Sequence, residues 1–238
     1  MEPESGPFVT AILLAAGAGE RFGSAGPKQF VHLAGEPMFV HPLRVLVGDI
    51  RIDSIVVVLR AVRTPEVDEA ARLPKVSAST RGGATRQESL AKGLAYLPAQ
   101  TEVVLVHDAA RPLVTEEMVD ALLDGLDSTC EGVIPGVPLE DTIKEVSPEG
   151  LVVKGLSRRS VWRIQTPQVF RRAALEECLA AAVADAFAAP DCSELLTRRG
   201  RPVKIISGSP ANFKITLAED LALAEDVLKG RAVEWSQF

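Results

Sequence analysis

Short apolar runs of strand length alternate along the chain with longer segments of helical period. Val9–Leu14, Ser54–Leu59 and Val103–Val106 are rich in β-formers and almost continuously apolar, as in strands whose sheet is covered on both faces. Apolar positions recur every three or four residues in Pro37–Val47, Pro65–Arg72, Thr85–Leu97 and Thr115–Leu126, the spacing of helices with one buried stripe. In Thr85–Leu97 the stripe is Leu90, Leu94 and Leu97. In Thr115–Leu126 it is Val119, Leu122, Leu123 and Leu126, behind a Thr115 cap with acid in the first turn. A helix over Arg171–Phe187, a strand over Val203–Ile206 and a final helix over Leu217–Leu228 continue the alternation. This order predicts an α/β, Rossmann-like fold: a mostly parallel twisted sheet with helices on both faces and right-handed crossovers.

The period changes between about Gly136 and Trp162. Thr142–Val146 and Leu151–Lys154 alternate in period two around the turn-forming tetrapeptide SPEG, which predicts an inserted β-hairpin arm spanning about 137–160. A hairpin alone is marginal, so the arm is expected to pack on something, and a second subunit is the natural candidate. No repeat, low-complexity stretch or linker divides the sequence, so 1–238 reads as one domain.

Composition narrows the function classes. Lys and Arg number 26 against 32 Asp and Glu, a formal charge of −6, which argues against a general nucleic-acid binder. Hydrophobic residues at 47% can build a sizeable core, while aromatics at 5% leave that core to Ala, Val, Leu and Ile and supply no stacking platform for single strands. No apolar run approaches the roughly 20 residues of a membrane span. The opening MEPESGP has two glutamates and no basic residue, so it reads as a loose tail and a soluble, cytoplasmic protein is expected. Cys130, Cys178 and Cys192 lack the spacing of a zinc set and read as buried thiols.

Candidate chemistry begins where the first strand ends. Ala15, Ala16, Gly17, Ala18 and Gly19 form a run of small residues, through which backbone N–H groups can approach a phosphate. Arg21 and Lys28 add positive charge to the same loop. Phe22 breaks the dinucleotide fingerprint, and Pro27 and Gln29 break the P-loop pattern.

This L-x-A-A-G-x-G-x-R…P-K run resembles the signature loop of nucleotidyltransferases that join a nucleoside triphosphate to a sugar or polyol phosphate. GGATRQES (82–89), DTIK (141–144), VHDAARP (106–112), WRIQTPQVF (162–170) and NFKIT (212–216) extend the likeness over nearly the whole chain. Together they resemble the 2-C-methyl-D-erythritol 4-phosphate cytidylyltransferase family of the non-mevalonate isoprenoid pathway. The family's T-D-[DE]-[AC]-S segment departs here: Ala189 and Pro190 replace Thr-Asp, while Asp191, Cys192 and Ser193 keep the rest.

The resemblance implies a division of labour. Ala15, Ala16, Gly17, Gly19, Gly82, Gly83, Arg86, Ser89, Asp108 and Ala109 would hold CTP, with the paired glycines and Ser89 at the pyrimidine. Arg21 and Lys28 would neutralise the α-phosphate. Arg158 and Lys214 would hold the acceptor phosphate, with Arg111, Thr142 and Thr166 also on the substrate side. Mg²⁺ would bridge the triphosphate, with Asp108 near the metal or ribose. Thr142 and Arg158 would reach into the partner's site, making the enzyme a homodimer. A phosphate monoester, with a second pKa of about 6, is already an anionic nucleophile at neutral pH and needs no strong base. That suits segments poor in His and Cys. Two alternatives remain: a ribitol 5-phosphate cytidylyltransferase, and a nucleotide-binding regulator without turnover. Without the resemblance, Asp108 and Arg111 could be a simple ion pair, and His107 a structural, hydrogen-bonded histidine.

Overall fold

The computed structural model describes residues 6–17, 30–60 and 64–230. In chain order the elements are β1 (Val9–Ala15), β2 (His32–Leu33), β3 (Glu36–Pro37), α1 (Val40–Gly48), β4 (Ser54–Leu59), α2 (Pro65–Ala70), β5 (Val76–Arg81), α3 (Arg86–Leu94), β6 (Val103–Asp108) and α4 (Glu116–Gly125). They continue as β7 (Gly132–Pro138), β8 (Ile143–Val146), β9 (Val152–Leu156), β10 (Trp162–Ile164), β11 (Gln168–Arg171), α5 (Arg172–Ala184), α6 (Cys192–Thr197), β12 (Val203–Ser207) and α7 (Ala218–Leu228).

Strands β5, β4, β1 and β6 lie side by side and parallel. Beyond β6 the sheet becomes mixed. β11 runs antiparallel between β6 and β7, β10 pairs antiparallel with the far end of β7, and β12 lies parallel on its other side. The α/β sheet with helices on both faces matches the sequence reading, and the antiparallel β10 and β11 are the departure from a purely parallel one.

Alternation along the strands divides the core. Val9, Ala11, Leu13 and Ala15 of β1 face one side, packed with residues of α1, α2 and α4; Ile12 and Leu14 face the other, packed with residues of α3, α5 and α6. A smaller cluster of Leu33, Met38, Leu113, Ile215 and Ala224 seats α7 beside the β2–β3 ribbon. Cys130, Cys178 and Cys192 are free and buried.

Local chemistry sets the helix starts. Thr85 accepts from the Glu88 N–H at 3.0 Å, Thr115 from Met118 at 3.4 Å, and Asp191 from Glu194 at 3.0 Å, each satisfying a donor the first turn leaves open. α1 starts at Val40 rather than Pro37, because Pro37 is paired with His32 in the two-stranded ribbon.

The arm is the part without a core. Ile143 to Val146 pair with Leu156 to Val152, Ser147 and Leu151 close the turn, and Gly150 adopts φ +84 there, a left-handed value that glycine takes without strain. Val146, Leu151, Val152, Val153 and Leu156 are exposed. Among the described residues no helix is long and apolar enough to cross a membrane.

Candidate active site

The chain leaves β1 for β4 and β5 on one side and later returns to β6 on the other. The carboxyl ends of β1 and β6 therefore flank a topological switch point, where open α/β sheets leave a crevice for ligands. A cleft of about 1040 Å³ opens there, lined by the ends of β1, β5 and β6, Arg60 just after β4, α3 as far as Lys92, Met38, and Lys214 and Thr216.

Backbone pairing carries the sheet to the cleft floor: Gly82 N–H donates to the Leu59 carbonyl at 2.8 Å, and Ala109 N–H to Leu14 at 3.0 Å. The Ser89 hydroxyl accepts from Gly83 N–H at 3.1 Å and donates to the Thr85 carbonyl at 2.9 Å, fixing the turn between β5 and α3. Lys92 Nζ donates to the Gly82 carbonyl at 3.1 Å. A Cβ on Gly82 would stand 2.3 Å from the Ala16 Cβ, and one on Gly83 2.2 Å from the Glu88 Cβ. The paired glycines are thus required by close packing before any ligand arrives.

The electrostatic centre is Asp108. Arg86 Nε donates to Oδ1 at 3.0 Å and Lys214 Nζ to Oδ2 at 2.8 Å. Burial alone would raise the Asp108 carboxyl, but Arg86 and then Lys214 outweigh it and hold it well below the usual carboxylate range. Burial likewise opposes the charge of Arg86, yet a hydrogen bond to the Cys192 sulfur and the charge of Asp108 keep that guanidinium protonated above its ordinary range. Arg86 also donates to the Cys192 Sγ at 3.3 Å. Burial raises the Cys192 thiol, so the sulfur is neutral and Asp108 is the true counter-charge. The Arg86 Nη2 atom is buried without a partner among the described residues.

A second layer positions this group. His107 is fully buried, and burial pushes its pKa down to about 4 against the pull of Asp108. The ring is neutral at pH 7. Its Nε2 lies 3.0 Å from the Arg111 carbonyl, an acceptor only, so Nε2 carries the proton. Nδ1 then accepts from the Thr166 hydroxyl at 3.1 Å, and that oxygen accepts Asp108 N–H at 3.0 Å. Arg111 donates to the carbonyls of Asn212 at 2.8 Å and Ile164 at 3.1 Å. Asn212 Nδ2 donates to the Thr166 carbonyl at 2.9 Å, and Ile215 N–H to Ala110 at 2.8 Å. The segment bearing Lys214 is thereby held on both sides.

Ala15, Ala16, Gly17, Gly82, Gly83, Arg86, Ser89, Asp108, Ala109 and Lys214 all line the cleft. Thr166 lies beneath it, bonded to Asp108 and His107. Arg111 spends its guanidinium on backbone carbonyls, and Asp108 pairs with Arg86 and Lys214 in its place. Thr142 and Arg158 are exposed at the base of the arm, outside the cleft lining, where Arg158 donates to the Glu140 carbonyl. Gly19, Arg21 and Lys28 lie outside the described residues. Arg60, Arg81 and Lys92 also line the cleft and were not foreseen. For Arg60 the available signal was a basic residue directly after an apolar strand, and for Arg81 one directly before the paired glycines; Lys92, on α3, carried no local signal.

Among the described residues no group of three or more His, Cys, Asp or Glu could hold a metal by itself. An ionised Asp108 nevertheless fits a magnesium ion that takes one carboxylate and draws its other ligands from phosphate and water.

Fold and cleft together define an α/β protein that presents cations to a small polyanion at the carboxyl edge of its sheet. The profile of the 2-C-methyl-D-erythritol 4-phosphate cytidylyltransferases matches residues 9–230. The chain is 40% identical to the enzyme of that name from Geobacillus thermodenitrificans, over 94% of this chain and 98% of the relative. It is 38% identical to that from Symbiobacterium thermophilum, over 94% of each. The crystal structure of 4-diphosphocytidyl-2C-methyl-D-erythritol synthase from Anaerococcus prevotii superposes with a TM-score of 0.83 at 27% identity, covering 94% of this chain and 96% of the other. The chain belongs to the 2-C-methyl-D-erythritol 4-phosphate cytidylyltransferase family.

Proposed function

We propose that this chain transfers the cytidylyl group of CTP to 2-C-methyl-D-erythritol 4-phosphate, giving CDP-methylerythritol and pyrophosphate. The observation that carries the reading is the Arg86–Asp108–Lys214 line at the switch-point cleft, in a chain whose family match runs over residues 9–230.

In this reading an acceptor phosphate oxygen attacks the α-phosphorus, a new P–O bond forms, and pyrophosphate leaves with the electron pair of the broken α,β bond. No proton must be removed first, so the chain's contribution is orientation and charge neutralisation. Lys214 holds the acceptor phosphate, while Asp108 and Arg86 fix where Lys214 stands. Arg21 and Lys28 meet the charge that develops at the α-phosphate. Losing one comparable stabilising group costs about 2.7–4 kcal/mol of barrier. A magnesium ion beside Asp108 supplies charge neutralisation across the triphosphate when bound.

The working unit is a homodimer. The arm's exposed Val146, Leu151, Val152, Val153 and Leu156 support this, as does the position of Thr142 and Arg158 outside their own cleft. In the partner's site they would complete the acceptor pocket. The enzyme acts in the cytoplasm, on small phosphates and without nucleic acid or membrane.

Pyrophosphate release from purified protein, CTP and Mg²⁺ tests the assignment with each polyol phosphate in turn. Release with methylerythritol 4-phosphate is expected. Release only with ribitol 5-phosphate would move the protein to that acceptor, and CTP binding without release from either would make it a regulator.

A further inference from the structure

Two arginines at the cleft mouth have no role in the chemistry above. Arg81 ends β5 and Arg60 directly follows β4, and the two strands are parallel neighbours with Leu59 opposite Arg81. Adjacent strands lie about 4.8 Å apart, so the two residues leave the same sheet edge on neighbouring strands, one residue out of register and therefore on opposite faces. Both are exposed and still line the cleft. Neither guanidinium makes a hydrogen bond or ion pair among the described residues, whereas the side chains of Arg86 and Lys214 are engaged with Asp108 and that of Lys92 with Gly82.

Two guanidiniums without a counter-charge among the described residues leave positive charge at the mouth that an arriving anion would neutralise. The cleft's described lining carries five basic side chains, Arg60, Arg81, Arg86, Lys92 and Lys214, against the carboxylates of Glu88 and Asp108. The chain as a whole carries −6, so a nucleoside triphosphate approaches a repulsive body through one locally attractive mouth. Within the low-dielectric walls of a cleft such charges focus the field and raise the capture rate.

We infer that Arg60 and Arg81 form an electrostatic capture rim that speeds association of the nucleoside triphosphate with the cleft. The inference rests on the nucleotide-binding part of the function proposed above and adds a kinetic role to residues outside the family motifs. Exposed charges acting at a distance change association far more than dissociation, and salt screens their effect over a Debye length of about 8–10 Å.

The test is stopped-flow binding of a fluorescent N-methylanthraniloyl CTP to the full chain and to its R60Q/R81Q double variant, from low salt to about 0.5 M NaCl. Both positions are exposed, and thermal melting confirms equal folding. The variant's association rate constant is expected to be lower by about three- to tenfold at low salt, to converge with the parent at high salt, and to leave dissociation nearly unchanged. Equal association rates at low salt would overturn the rim, and so would a loss that persists in high salt or resides in dissociation, since either marks short-range contact. Pyrophosphate release by the parent chain is measured separately. A parent that binds nucleotide without turnover sinks the proposed reaction and leaves the rim to be judged on rates alone.

Discussion

His107 shows how one buried side chain couples the site to pH. Its ring is neutral in the folded state because burial pushes its pKa down to about 4, while an unfolded histidine titrates near 6.5. Between those values the unfolded chain binds the extra proton, so stability falls as pH drops from about 6.5 to about 4, by roughly 3 kcal/mol in total. Asp108, whose folded pKa is held low, adds a further loss only below about pH 4, where its unfolded form takes up a proton. Urea denaturation at pH 7 and pH 5 should show this slope in the parent and a flatter one in His107→Gln; equal slopes would remove His107 as its source. Two glycines separate packing from ligand approach in the same way. Gly82→Ala forces a Cβ to within 2.3 Å of Ala16, so both thermal stability and CTP affinity should drop. Gly17→Ala meets no heavy atom within 4 Å, so its melting temperature should stay within a degree or two while CTP affinity weakens about tenfold or more. Unchanged affinity in Gly17→Ala would mean that no phosphate approaches the backbone there.

At the scale of elements, legibility followed the number of large apolar side chains and the chemistry of the turns. The runs at β1, β4 and β6 announce themselves because every residue in them is buried. The arm is legible for the opposite reason, since a hairpin turn and period two survive without a core. β5 reads VSASTR, an edge strand with one large apolar residue, and β7 reads GVIPGVP, where Gly and Pro hide a buried strand from propensity. β10 and β11 span three and four residues and reverse the sheet's direction, which only tertiary pairing decides. α6 has six residues, too few for a helical stripe, although its Asp191 and Glu194 stand at capping-box spacing. The cleft residues were legible as motifs, but the pairing of Asp108 with Arg86 and Lys214 joins segments 22 and 106 residues apart and no local pattern encodes it. α6 bears on that pairing, because its first residue, Cys192, touches Arg86. Asp191 caps the helix and accepts from Gln168 Nε2 at 2.9 Å. Asp191→Ala should therefore cost about 1–2 kcal/mol in urea denaturation and raise the KM for CTP by loosening Arg86. A stability loss with an unchanged KM would show that the cap serves the helix alone.

At the scale of the molecule, the question is which chain's Arg158 serves a given cleft. Within one chain Arg158 sits exposed at the arm's base, bonded to the Glu140 carbonyl and outside the cleft that Lys214 lines. The arm beyond it exposes valine and leucine side chains, with Val152 at 64% and Leu151 at 70%, although a two-stranded hairpin needs a packing partner to be stable. The proposed twofold dimer would answer both observations, since a symmetric interface would cover two arms at once and carry each Arg158 to the other cleft. Mixing inactive variants then distinguishes the arrangements. In a heterodimer of Arg158→Ala with Lys214→Ala, the first chain keeps its own Lys214 and would borrow the second chain's Arg158, so one of its two sites is whole. The second chain's site lacks both groups. After unfolding and refolding an equimolar mixture, about a quarter of parental activity should return if subunits pair at random. If Arg158 serves its own chain's cleft, every site in the mixture lacks one group or the other and the activity stays at the level of the separate variants. Restored activity would also require a dimer, so one measurement reads both the assembly and the sharing of the site.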